Sequence, residues 1–546
     1  MRPLLVLLIV ALLDCGNVFA QSAKTPEPPP DLALTAVGRQ HHAISTESGQ
    51  AQDYFDQGIT LLYGFNHEEA ARAFRRASEL DPSSPMPLWG IAMAVGPNYN
   101  MDVDGEREKL GYETIQKAQK LAEHAPQVEK DYVAALVTRY SGDVAPDYKK
   151  LSRDFVTAMK GLSQKYPDDL DAATFYAESL MDLNPWKLWS LDGKPAEGTE
   201  EILRVLESVL QRDQNHAGAN HYYIHAVEAS PHPERALASA HRLDSMVPQA
   251  GHLVHMPAHI YIHTGEYGAA VKNNAEAVKI DRVYAQKANK VGSIYDIMYQ
   301  GHNEQFLAWA AGMAGMHEEA KAVAEGLAKR LMPHAKMMPM LDAFILMPLW
   351  VDARFSRWDA VLARPEPAKE LQGTHVMWRY TRALAFAGRG QIDAAAAERT
   401  QFLAEVSAFP PDASFGQFNT PKDMLDLATQ IVEARLAASR GNRDEAIVHW
   451  RKAVEIEDTF RYAEPPDWYY PVRESLGAAL LSAGKEKEAE QVFRDDLRQN
   501  PRNPRSLFGL MSSLKAQHRE EGAAWVERAF NEAWKGADTK LKLSDL

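Results

Sequence analysis

The chain has 546 residues, 45% of them hydrophobic and 25% charged, with a formal net charge of −14. That length and apolar content support a large folded body, and an acidic chain with no basic stripe argues against nucleic acid as its main partner. The one cysteine, Cys15, lies in the first twenty residues, so any metal site further on has to use His, carboxylate or Met ligands.

In chain order, Met1-Arg2-Pro3, the apolar run Leu4 to Leu13 and Val18-Phe19-Ala20 predict a secretory signal peptide over residues 1–20, cleaved after Ala20. The run is shorter than the roughly 20 apolar residues a bilayer span needs. Asp14 sits where a lipoprotein signal wants a small residue, so Cys15 is not expected to carry lipid. Residues 21–45, with Pro26, Pro28, Pro29 and Pro30, predict a flexible leader. Nothing after the signal peptide is long and apolar enough to cross a membrane, so the expected location is periplasmic or secreted.

From residue 46 onward Ala, Leu, Glu, Lys and Arg dominate, with apolar residues three and four apart, the pattern of amphipathic helices. Strand and hairpin signals are nearly absent. Tyr54, Gly58, Leu61, Ala70, Phe74, Ala77 and Pro82 fit one helix-turn-helix unit: small residues let two helices approach, an aromatic ring plugs the gap, and a proline ends the second helix. The grammar returns as Tyr261, Gly265, Tyr267 and Ala270; as Gly315 and Ala320; as Gly441, Ala446, Trp450 and Ala453; and as Leu476, Gly477, Leu480, Gly484, Ala489, Phe493 and Pro501.

Over most of residues 50–530 this resembles the tetratricopeptide-repeat (TPR) family, of an exported bacterial type. The resemblance implies an all-α solenoid, a right-handed superhelix of about a dozen helix pairs whose first helices line a concave binding face. Residues 46–213 are then N-terminal pairs with long loops, 214–335 a central His-rich section, 336–533 C-terminal repeats and 534–546 a polar tail. Four long interruptions, 96–108, 183–199, 406–422 and 458–470, carry Tyr99, Trp186, Trp189, Phe415, Trp468 and Tyr469. Loops of that length often serve function, though such aromatics also pin irregular segments to a solenoid. Arg473 with Trp468-Tyr469-Tyr470 invites a second binding patch, against a plain structural role in the terminal repeats.

Nine of the nineteen histidines fall in residues 216–263. His221 and His225 stand four apart on one predicted first helix, and His255 and His259 four apart on the next, each pair sharing a helix face. From His221 to His255, and from His225 to His259, is 34 residues, the TPR period. Counted back from Gly265 and Tyr267, these four and His252 and His263 belong on the open concave side, together with Glu228 and Glu178. Neutral imidazole suits Zn, Cu or Fe. His221, His225, His255 and His259 are therefore the expected ligands of one divalent transition metal, with His252 and His302 in reserve. Glu178 and Glu228 are candidate orienting groups or general bases. His216, His232 and His241 fall at turns or on second helices and are left out. Because imidazole must be neutral to ligate, affinity is expected to fall below about pH 6.5. The expected function is a binding or scaffold solenoid that takes a peptide, protein or small molecule and carries this metal site. The alternative is a metal-dependent hydrolase or oxidoreductase using the same cluster.

Overall fold

The computed structural model describes residues 40–413 and 415–546. The expected signal peptide and the leader up to residue 39 lie outside the described residues. Within them the protein is all-α, a TPR-like α-solenoid. Its only β pairing among those residues is two isolated bridges, Asn98–Met101 and Trp189–Pro195. No described helix is long and apolar enough to cross a membrane.

The helices come in pairs: α1 (Gly49–Tyr63) with α2 (His67–Leu80), α3 (Met86–Val95) with α4 (Gly105–Ala122), α5 (Gln127–Val137) with α6 (Tyr148–Lys165), and α7 (Leu170–Met181) with α8 (Thr199–Arg212). Next come α9 (Ala217–Val227) with α10 (Leu237–Met246), then α11 (Gly251–His255) and α12 (Pro257–Thr264), a rod interrupted at Met256, and α13 (Tyr267–Lys287). Pro257 has no N–H to give, which is why that rod is broken in the middle. Six further pairs run from Gly301 to Ala533, the last being Pro504–Ala516 with Glu520–Ala533.

Small residues and one ring lock neighbouring helices as the sequence implies. A Cβ at Gly58 or at Gly90 would stand 2.5 Å from the Phe74 ring, so the ring fills the gap that both glycines leave. Phe493 is wedged between Gly477 and Gly509 in the same way.

The turns between paired helices share one geometry. The N–H of Glu266 bonds the carbonyl of Tyr261, that of Met316 bonds Ala311, and those of Gln391, Asn442 and Lys485 bond Phe386, Ala437 and Leu480. In each, the residue before the donor is a left-handed glycine: Gly265, Gly315, Gly390, Gly441 and Gly484. This is the helix-terminating motif in which glycine avoids the Cβ clash. The first turn keeps the bond, Asn66 N–H to Leu61 carbonyl, but its left-handed position, φ 54°, holds Phe65.

The chain divides into two compact units, residues up to Ile260 with Glu276–Asp296, and Tyr261–Ala275 with Ile297–Leu546. In the first unit α1 packs not only on α2 and α3 but also on α9, four pairs further along. The inner faces of these helices therefore meet each other instead of lining an open groove. In the second unit the loops 406–422 and 458–470 are structural. The Asp467 carboxylate accepts the backbone N–H groups of Gln417, Phe418 and Asn419, and Trp468, Tyr469 and Tyr470 are buried. Arg473 pairs with Asp458, so the aromatic run is core and not a second binding patch.

Candidate metal centre

α9 is buried along its whole length, polar residues included. Gly218 makes this possible, because a Cβ there would overlap the Tyr63 ring and hold α9 away from α1. One turn later His221 Nδ1 lies 2.6 Å from the Tyr63 carbonyl oxygen, which can only accept, so Nδ1 carries the proton.

His225 and His259 are fixed by one carboxylate. Glu228, just past the end of α9, accepts from His225 Nδ1 at 3.0 Å and from His259 Nδ1 at 2.8 Å. Burial by itself would raise the Glu228 carboxyl, but the His225 and His259 rings that face and donate to it outweigh burial and hold it below the usual carboxylate range. No Lys or Arg pairs with Glu228 among the described residues.

With Nδ1 protonated on His221, His225 and His259, each presents a lone pair at Nε2. These lone pairs lie inside the protein. His225 Nε2 is buried without a hydrogen-bond partner. His221 Nε2 stands 3.2 Å from His252 Nε2, and His259 Nε2 stands 2.7 Å from His255 Nε2. One ring nitrogen each from His221, His225 and His252 lie within 4.8 Å of one another. Glu228 with His225 and His259 forms another such group, but there the nitrogens donate to the carboxylate, the arrangement of an orienting acid.

The expectation of an open concave site is corrected. His221, His225, His252, His255, His259, Glu228 and Glu178 are all buried, because α1 closes over α9. His252, expected only as a reserve, joins His221 and His225. His302 is on Gly301–Ala314 of the second unit, where it meets Phe306 edge-on at 5.9 Å. His263, also in the second unit, pairs with the buried Glu464 at 2.6 Å. Glu178 is not in the histidine cluster. It faces Tyr222 and Asp182, and burial, then the Asp182 charge, raises its carboxyl.

Two of the aromatic loops belong to the centre. Tyr99 and Trp186 stack on each other with centroids 5.4 Å apart, and both rings reach His225, at 5.1 and 6.0 Å. Arg139 clamps both loops, bonding the Pro97 carbonyl at 2.5 Å and Asp182 at 2.9 Å. Trp189 donates to the Ala226 carbonyl and fastens the second loop to α9. Phe65 supplies the remaining wall, its ring 4.6 Å from His221, 5.8 Å from His225 and 5.5 Å from His252. Sequence reasoning missed Phe65, Tyr63 and Gly218. The available signal was a phenylalanine at the turn position where five other turns place glycine.

A further group, His42, Asp169 and Asp171, lies within 4.8 Å but is spent on structure. Asp171 accepts from the Tyr63 hydroxyl and pairs with His42 and His216, while Tyr132 donates to Asp169. It ties residues 40–48 onto the first repeats.

Burial, and then repulsion from neighbouring imidazoles, pushes His221 and His252 well below the ordinary histidine value. Protons therefore compete for the nitrogens of these two rings less than for free imidazole. Zinc uptake at pH 6.0 is expected to stay close to that at pH 7.5, as read by equilibrium dialysis. A fall following a free-imidazole titration would show the rings are solvated.

No protein-family model and no curated protein matches the chain. Among solved structures it is similar to a human IFIT1 dimer with PPP-AAAA (12% identity, 89% of this chain and 91% of that one, TM-score 0.31). It is also similar to yeast Tom70 (12%, 88% and 90%, TM-score 0.26) and to the P58(IPK) TPR domain (12%, 86% and 99%, TM-score 0.22). At these scores the likenesses carry nothing about function.

Proposed function

We propose that this chain is a metal-binding helical-repeat protein whose histidine cluster holds a divalent transition metal, Zn, Cu or Fe, in its interior. One observation carries the reading. A backbone carbonyl and one buried carboxylate fix the Nδ1 protons of His221, His225 and His259, and so aim three Nε2 lone pairs into the core. Burying the His225 Nε2 acceptor without a donor costs about 1–3 kcal/mol, and packing gives no reason to do so. Metal-ligating histidines, in contrast, almost always donate their other N–H to a carboxylate or carbonyl. The Glu228 charge, which has no Lys or Arg partner among the described residues, also fits a cation placed beyond the two rings it holds.

His221, His225 and His252 would hold such an ion, which would supply Lewis-acid activation of a bound oxygen ligand. The protein's own part is to hold the rings, exclude water with Phe65, Tyr99 and Trp186, and keep Glu228 ionised against His225 and His259. This favours a metal-dependent enzyme, hydrolase or oxidoreductase, over a plain binding scaffold, since the cluster is enclosed and not displayed on a groove. Elemental analysis of tag-free protein is the test, with about one ion or more per chain expected. Metal no higher than in a His225→Ala/His259→Ala variant would end the reading.

We also propose that the protein is exported, on the strength of residues 1–20. The mature chain is expected to begin at Gln21 without lipid. Intact mass of the exported protein checks this, and a diacylated Cys15 would overturn it.

A further inference from the structure

We infer that the cluster is built for two ions, one on His221, His225 and His252 and one on His255 and His259, with Glu228 shared between them. The inference rests on the metal-binding reading above and sets its stoichiometry.

Two nitrogens at 2.0–2.1 Å from one ion, with bond angles between a right angle and the tetrahedral value, stand about 2.9–3.4 Å apart, and never more than about 4.2 Å. The Nε2 atoms of His221 and His252, at 3.2 Å, already have that spacing. His255 and His259, at 2.7 Å, need to open by only a few tenths of an ångström. The nitrogens of His221, His225 and His252 gather within 4.8 Å, and neither His255 nor His259 joins them at that distance. The four histidines of the 34-residue offset do not form one such group among the described residues.

His252 and His255 both lie on α11 before the break at Met256 and Pro257, three residues apart, and His259 lies on α12 after it. Glu228 then joins the sets, with one carboxylate oxygen on His225 Nδ1 and the other on His259 Nδ1. Those two rings meet edge to face at 5.6 Å. In a tetrahedral count the first ion would keep one open position, which suits a small oxygen-donor ligand.

The test is a Co²⁺ titration of the full mature chain, without a His tag, followed by visible absorption and by metal content after dialysis. Wild type is expected to take up two equivalents, with different spectra for the first and second. His252→Ala and His255→Ala are each expected to keep one equivalent, and Glu228→Gln to weaken both by about 10–100-fold. One equivalent in wild type, lost completely in either variant, would overturn the two-ion inference and leave the metal-binding reading standing. No uptake in wild type would overturn both. If a variant fails to fold by circular dichroism, the wild-type stoichiometry decides alone.

Discussion

Replacing His225 and His259 together with alanine is expected to abolish transition-metal uptake and to destabilise the protein by about 3–5 kcal/mol. The metal effect follows from removing one nitrogen from each set of imidazoles. The stability effect follows from Glu228, which is 1% exposed and bonded to those two rings. Without them a buried carboxylate loses both donors. Adding Glu228→Leu should therefore recover most of the stability and none of the metal, because a well-packed apolar side chain replaces a stranded charge. Urea melts and elemental analysis of the double and triple variants measure both arms. A double variant as stable as wild type would mean that the carboxylate is solvated. A triple variant that regains metal would remove these rings from the ligand set. His232, exposed beside Glu234, provides the control, and its replacement is expected to change neither quantity.

Phe65→Ala is expected to cost about 3–5 kcal/mol, since a fully buried ring is lost from between His67, His221, Tyr222, His225 and His252. Phe65→Gly should be the better tolerated of the two, by about 1 kcal/mol. That inverts the usual order, in which glycine is worse than alanine. The reason is the left-handed backbone at this residue, which alanine resists and glycine adopts without strain. Chemical melts of the metal-free variants give both differences. Alanine more stable than glycine at this position would contradict the turn geometry.

The repeat was legible because packing wrote it into spacing. Gly58, Phe74 and Ala77 recur as a pattern because the same ring has to fill the same gap in each pair, and the structure seats Phe74 and Phe493 alike. The histidines were legible as a set for the same reason, since a 34-residue echo places side chains on equivalent faces of neighbouring helices. What the echo did not reveal was exposure. Whether an inner face is open or closed depends on a long-range meeting of α1 with α9, and nothing within one repeat encodes it. Gly218 and Phe65 permit that meeting, and each looks unremarkable alone. The grouping of the histidines was hidden as well, because it depends on a carboxylate reaching across two helices. Glu178 misled by register. It occupies the equivalent position of its own repeat, but α7 directs it to Tyr222 and Asp182.

Repeat arrays ordinarily tolerate the insertion, deletion or exchange of whole modules, since each contacts mainly its neighbours. The meeting of α1 with α9 withdraws that freedom from the first unit. Adding or deleting a single pair between residues 86 and 212 would carry Tyr63 and Phe65 past the helix they have to meet, even with every ligand retained. Any lineage or engineer reshaping this chain can therefore lengthen it only where no element depends on a distant repeat, and its first unit has to be inherited whole.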